Sequence, residues 1–265
     1  MRERTSLEIQ SVQKALRLLD LIAERREPQG VSELARLADL DKSSVSRLLR
    51  TLEGAQLVAQ NESTRAYSLG LRLVHLGQRT LQRLDFRDIS RAGLRRLAHA
   101  TGECAHAAVL AGERALYISQ ETPGVGVVVD APVGSLAPLH CTALGKVLVA
   151  GQSATKREAL IEKMQFERHT RRTIGDPEQL RRSVERIRID NIAYDDEEFS
   201  VGVRCVAAPV WGSEGVLVGA IGISGPSPRV TDERITLWEP LLRHEAETLS
   251  KDLGWEPDLG TQGLE

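Results

Sequence analysis

The sequence predicts an α+β protein in two parts. A short helical front closes with a β-hairpin, and in a larger rear an antiparallel sheet lies between helices. Three observations carry this. Apolar residues recur at the i, i+3, i+4, i+7 spacing of one-sided helices through residues 11–52. Apolar and alternating runs at residues 104–120 and 203–223 are broken by short Gly-containing turns, as hairpins are. Amphipathic helical stretches bracket those runs.

Residues 11–24 (SVQKALRLLDLIAE) place Val12, Ala15, Leu16, Leu19, Ile22 and Ala23 on one stripe, a first helix for others to pack on. Residues 31–52 (VSELARLADLDKSSVSRLLRTL) read as two short helices. Leu34, Ala35 and Ala38 form one apolar face, and Val45, Leu48, Leu49 and Leu52 form the other. Either Asp39 or Asp41, in the break between them, can cap the second helix. The exposed side of that helix carries Ser43, Ser44, Ser46, Arg47, Arg50 and Thr51. Small hydroxyls followed one turn later by arginines can meet phosphates and reach base edges. Residues 57–60, 61–64 and 65–69 read as strand, polar turn and strand, with Arg65 and Tyr67 placed to touch backbone or minor groove. Three helices and a hairpin make a winged helix-turn-helix, whose second paired helix enters a major groove.

Residues 70–84 continue as a helix with Leu73, Leu76, Gly77, Thr80, Leu81 and Leu84 along one side. It is a linker helix, and its apolar side is either a dimer seam or a face packed on its own domain. A helix at 86–100 stops near Gly102. Strands follow at 104–110 and 114–120, joined by Ala111-Gly112-Glu113, with an extended segment at 124–132. Residues 142–150 (TALGKVLVA) and 155–164 are helical, and Pro177 opens a basic helix over 178–190. The runs 203–211 and 215–223 form a hairpin, and 231–253 is a final helix bent at Pro240. The expected division is 1–69 for the winged unit, 70–84 for the linker, 85–253 for the sheet-bearing domain and 254–265 for a loose tail.

Composition narrows the function classes. The 265 residues are 41% hydrophobic and 27% charged, as in ordinary globular proteins. Aromatics at 3% argue against base-stacking platforms for single strands. No apolar run is long enough to span a membrane, and MRERTSLEIQ lacks the apolar core of a signal peptide. Cys104, Cys141 and Cys205 form no disulfide framework and suit a reducing cytoplasm. Residues 1–84 hold 14 Lys and Arg against 10 Asp and Glu, whereas residues 85–265 hold 21 against 27. A basic front on an acidic remainder suits a DNA-reading unit attached to one that avoids DNA.

Catalytic chemistry finds little footing. His140-Cys141 has no CxxC or HxxxH spacing to make a metal site with Cys205, His106 or an acidic residue, so no metal is expected. As a nucleophilic pair, adjacent side chains usually point apart and no third residue is indicated to orient them. Neither a phosphate-cradling loop nor a dinucleotide fingerprint is present, so no cofactor and no enzyme are expected. The alternative is an orphan hydrolase using Cys141 with a fused DNA-binding domain. The run Asp195-Asp196-Glu197-Glu198 reads as a solvated acidic turn.

The motifs SVQKALRLLDLIAE, VSELARLADLDKSSVSRLLRTLE and YSLGLRLVHLG, then PLHCTALGKVLVA, DDEEFSVGVRCVAAPV and GAIGISGP, occur in that order over residues 8–253. Together they resemble the IclR-type bacterial transcriptional regulators. The resemblance implies a winged helix-turn-helix joined to a GAF-like effector domain, assembled as a dimer or a dimer of dimers. It implies binding to pseudopalindromic double-stranded promoter DNA that a small metabolite, an aromatic or organic acid, alters. By position, Thr142, Ala143, Leu144, Asp195, Cys205 and Ser224 would line the effector pocket. One departure is Gly222, where many members carry serine, which removes a hydroxyl donor.

Overall fold

The structure, a computed structural model, describes residues 9–25, 27–81, 85–124, 129 and 131–256. The chain divides into two compact units, Met1–Arg83 and Leu84–Glu265.

In the first unit, α1 (Gln10–Ala23), α2 (Val31–Ala38) and α3 (Lys42–Gly54) precede β1 (Val58–Gln60), β2 (Tyr67–Leu69) and α4 (Leu71–Leu81). Leu18 and Ile22 of α1 pack on Leu34, Ala35 and Ala38 of α2 and on Val45, Leu49 and Leu52 of α3. The two aspartates in the break divide the work. Asp39 takes the left-handed conformation that ends α2, and Asp41 caps α3. Asp41 Oδ1 accepts from the Ser44 N–H at 2.8 Å and the Ser43 hydroxyl at 2.6 Å. These hydrogen bonds hold its carboxyl well below the usual carboxylate range.

Two sequence expectations change here. The buried side of α1 is Ala15, Leu18, Leu19 and Ile22, while Val12 and Leu16 are 51% and 55% exposed. Of the stripe read from the sequence, Ala15, Leu19 and Ile22 do face α2 and α3, Leu18 joins them, and Val12, Leu16 and Ala23 do not, a choice that only contact with those helices makes. Tyr67 does not face outward. β1 and β2 pair antiparallel with Gln60 opposite Tyr67, and Gln29 exchanges two backbone hydrogen bonds with Tyr67 from its other side. Strand alternation then turns the Tyr67 ring into the core, where it is 3% exposed.

Among the described residues, the second unit holds a six-stranded antiparallel sheet in the order β5-β4-β3-β8-β7-β6. The strands are β3 (Cys104–Ala111), β4 (Arg114–Glu121), β5 (Leu136–Pro138), β6 (Ala193–Asp196), β7 (Val203–Trp211) and β8 (Leu217–Pro226). The helices are α5 (Asp85–Thr101), α6 (Ala143–Ala150), α7 (Ala154–Lys163), α8 (Pro177–Asp190) and α9 (Asp232–Asp252). Successive β8 residues show the two faces. Phe86 of α5 lies over Gly219, so closely that a Cβ there would stand 2.3 Å from its ring. Ala220 points the other way, into the core with α6 and α8. Arg96 of α5 donates both arms of its guanidinium to Glu245 of α9 at 2.7 and 2.6 Å, tying the outer helix pair together.

The edge strands β5 and β6 are absent from the sequence reading; unlike the equally short β1 and β2, they are not joined to a neighbouring strand by the short polar turn that marks a hairpin. Most of the extended segment expected at 124–132 lies outside the described residues, as does most of the tail. Helix α9 runs on as one element with Pro240 inside it.

The corrected α1 face is testable. Leu18→Ala should lower stability by about 2–5 kcal/mol in urea unfolding, and Leu16→Ala by less than half of that. Equal losses would mean the helix is rolled as the sequence stripe suggested.

Candidate functional site

Helix α3 and the wing form the first candidate surface. The Asp41 cap fixes where α3 begins, so Arg47, Arg50 and Thr51 emerge on its exposed side. Neither arginine forms an ion pair with a described residue. Ser46, Arg50, Thr64 and Arg65 share a groove of about 560 Å³ between α3 and the hairpin. The wing turn is built by Asn61, whose Oδ1 accepts from the backbone of Ser63 and Thr64. Arg65 follows in the left-handed conformation with its side chain exposed. Two predicted contacts are already engaged at the cap: the Ser43 hydroxyl donates to Asp41, and half-buried Ser44 supplies its N–H. The Thr51 hydroxyl returns to the Arg47 carbonyl at 3.0 Å.

The second candidate is a cavity of about 560 Å³ in the sheet-bearing unit. All six residues expected around an effector line it: Thr142, Ala143, Leu144, Asp195, Cys205 and Ser224. Three lie in one row across the sheet, since Asp195 of β6 is opposite Cys205 of β7, itself opposite Ser224 of β8. Opposite residues share a face, so register alone brings carboxyl, thiol and hydroxyl together. Burial pushes the Cys205 thiol pKa up. The other wall is the start of α6. Thr142 caps it, donating to the Pro138 carbonyl at 2.6 Å and accepting from the Gly145 N–H at 3.1 Å. Gly145 is needed there because a Cβ would sit 2.5 Å from Thr142 Oγ1 and 2.6 Å from that carbonyl. The N–H groups of Ala143 and Leu144 meet no acceptor among the described residues, which leaves a helix N-terminus open to the cavity.

Profiles of two domain families match the chain: the IclR helix-turn-helix domain over residues 11–62, and the bacterial transcriptional regulator IclR C-terminal domain over residues 78–251. The chain belongs to the IclR family of transcriptional regulators. It is 32% identical to the regulator XynR of Escherichia coli over 247 residues, 93% of this chain and 98% of the relative. It is equally identical to the Escherichia coli regulator KdgR, over 93% and 94% of the two chains. A crystal structure of an IclR regulator from Silicibacter superposes with a TM-score of 0.80 at 28% identity, covering 95% of this chain and all of the other.

This IclR-family chain buries charge that its sequence does not advertise. Asp195 is 3% exposed, and its Oδ1 accepts from the Glu198 N–H at 2.7 Å. Lys146 of α6 is buried too, 2.5 Å from Glu198 Oε1. The acidic run is therefore not a solvated turn. Asp195 and Glu198 are drawn inside, Asp196 meets Arg172 and Arg204, and Glu197 accepts from the Gly202 N–H. Thr170 and Thr173 donate to the carbonyls of Glu197 and Glu198 and strap the turn from behind. Lys146 was missed, and its one signal is a lone lysine in the apolar run ALGKVLVA. Cys141 is fully buried with its thiol pushed up to about 12, chiefly by desolvation, so it offers almost no thiolate at neutral pH. Nothing supports the hydrolase alternative, and the relatives named above are transcriptional regulators.

Desolvation raises the Asp195 pKa from 3.8 to about 7, outweighing the hydrogen bond from Glu198. The folded state therefore holds a proton that the unfolded chain releases near pH 4. Stability should fall as pH rises from about 4 to about 7 and then level, each pKa unit being worth about 1.4 kcal/mol. Asp195→Asn should flatten that slope in urea titrations. An identical slope in the variant would place the proton elsewhere.

Proposed function

We propose that the chain binds double-stranded promoter DNA as a dimer or dimer of dimers in the cytoplasm, and that a small organic or aromatic acid in the cavity alters that binding. The observation that carries this reading is the pairing, in one chain, of an exposed arginine-bearing helix with a cavity that carries polar groups at its ends. Residues 1–69 act as the DNA-binding unit, 70–84 as the linker, 85–253 as the effector domain and 254–265 as a tail. Arg47, Arg50, Ser46 and Thr51 face the major groove, Ser43 and Ser44 lie near phosphate at the helix start, and Arg65 reaches out from the wing.

In the cavity, the open N–H groups of Ala143 and Leu144 suit a carboxylate, and Asp195, Cys205 and Ser224 suit a hydroxyl or carbonyl. Tyr117, Leu136 and Val206 supply an apolar wall between them. A Microbacterium IclR homologue of the same fold, 23% identical with a TM-score of 0.75, was crystallised with 4-hydroxybenzoate, a ligand of that kind. Self-association is supported by α4, where Leu71 is 86% and Val74 60% exposed, apolar surface that a monomer would leave in water.

Three measurements test this reading. Fluorescence anisotropy against the DNA upstream of the chain's own gene should show specific binding near 10⁻⁸ M, on the order of a thousandfold tighter than scrambled DNA. Arg47→Ala should cost about 1–3 kcal/mol on the specific site if it reads a base. Unchanged affinity removes Arg47 from the interface. Val74→Glu should shift the sedimentation equilibrium toward monomer, and an unaltered oligomer excludes α4 from the seam.

A further inference from the structure

We propose that His140, Cys141 and His169 form a binding site for a thiophilic divalent d-block cation, with Zn²⁺ as the fitting ion. The three side chains each offer one ligand atom, and these atoms lie within 4.8 Å of one another, the one such three-residue cluster found among the described residues. His140 and Cys141 immediately precede the capping residue of α6, and His169 arrives from the segment between α7 and α8. The sequence hides the site because 27 residues separate its two halves.

The donor set has the right chemistry. Two imidazoles and a thiolate are ordinary zinc ligands, and a fourth position is left for water. His140 Nε2 lies 3.0 Å from the Glu167 carbonyl oxygen, which can only accept, so the neutral ring carries its proton there. Coordination through Nδ1 would leave that carbonyl as the outer partner that orients a ligating histidine. Zn–N bonds of about 2.0 Å and Zn–S bonds of about 2.3 Å put tetrahedral ligand atoms about 3.4–3.6 Å apart. Ligand atoms no more than 4.8 Å apart need to close by at most about 1.4 Å, and of the three side chains only His169 is exposed. Its backbone is already held, because its N–H donates to Thr173 Oγ1 at 3.1 Å. On binding, the ion displaces the Cys141 thiol proton, which passes to solvent, and a Zn–S bond forms.

The site adjoins the cavity through two of its walls. Cys141 is bonded in sequence to Thr142, and the His169 ring stands edge-on to Phe199 at 5.0 Å. Drawing these ligands together moves both walls, so metal occupancy should alter ligand affinity; that consequence alone rests on the effector reading above.

The test uses the full-length chain, stripped with chelator and equilibrated with Zn²⁺, with bound metal measured by elemental analysis. Neither DNA nor effector is present, so the outcome is independent of the regulatory reading. The wild type should hold about one zinc per chain, and Co²⁺ in its place should give a thiolate-to-cobalt charge-transfer band. His169→Ala, a surface change that leaves the fold intact, should weaken binding about 100-fold, and Cys141→Ser should abolish the charge-transfer band. His75→Ala, on exposed α4, controls for adventitious histidine binding and should change nothing. Absence of stoichiometric zinc in the wild type, or unaltered affinity in His169→Ala, overturns the proposal.

Discussion

Helix α6 has no solvent face. All eight of its residues are buried between the sheet and α8, so its polar groups must be satisfied by the protein or by a ligand. Thr142 meets part of that demand and Gly145 makes room for it. Lys146 creates another, because an ammonium in that interior needs a partner. Glu198 supplies one, and reaching it pulls the turn after β6 inward, which seats Asp195 at the cavity. The buried helix thus explains three features together: an open N-terminus, a buried ion pair and a carboxyl that keeps its proton toward neutral pH. Breaking the pair by removing either member would leave a buried charge alone, a heavier cost than the pair's own stabilisation.

In the first unit the corresponding constraint is the start of α3. Asp41 spends its carboxylate on the helix end, and the Ser43 hydroxyl is taken up in the same cap. The division is physical. Residues at the N-terminus hold the helix in register, and the long side chains one turn later form no ion pair among the described residues. A recognition surface needs both, since an arginine can read a base edge only from a helix whose position is fixed.

How much of this was legible in the sequence depends on the range of the interaction. The α2–α3 pair, its cap and the β3–β4 and β7–β8 hairpins follow from neighbours a few residues apart, and they stand where the pattern put them. Helix α1 was legible as a helix but not in its rotation, because two overlapping stripes compete and tertiary packing decides. Tyr67 and the acidic run misled for one reason: a tyrosine beside polar residues and four consecutive carboxylates look solvated until distant partners, Gln29 for one and Lys146 for the other, turn them inward. The six cavity residues came from resemblance rather than from periodicity, and register is what gathers three of them. His169 carried no signal, since nothing local ties it to His140.

The sheet's polarity is ordered along the strands, and Asp195, Cys205, Ser224 and Gly222 carry that order into the cavity. The row Cys104, Ser224, Cys205, Asp195 carries hydroxyl, thiol and carboxyl groups. Two residues along, about 7 Å away, the row His106, Gly222, Ala207 is small or neutral. His106 is fully buried, burial pushes its pKa down to about 4, and its ring meets Tyr117 edge-on at 5.5 Å. Glycine at 222 is integral to that row. A Cβ would stand 2.8 Å from the Val206 carbonyl oxygen and 3.1 Å from the Ala207 methyl, so a serine needs the strands to shift. At this spacing β7 and β8 leave no room for a side chain at 222. The cavity therefore offers hydrogen-bonding groups at the Asp195 row and only van der Waals contact at Gly222.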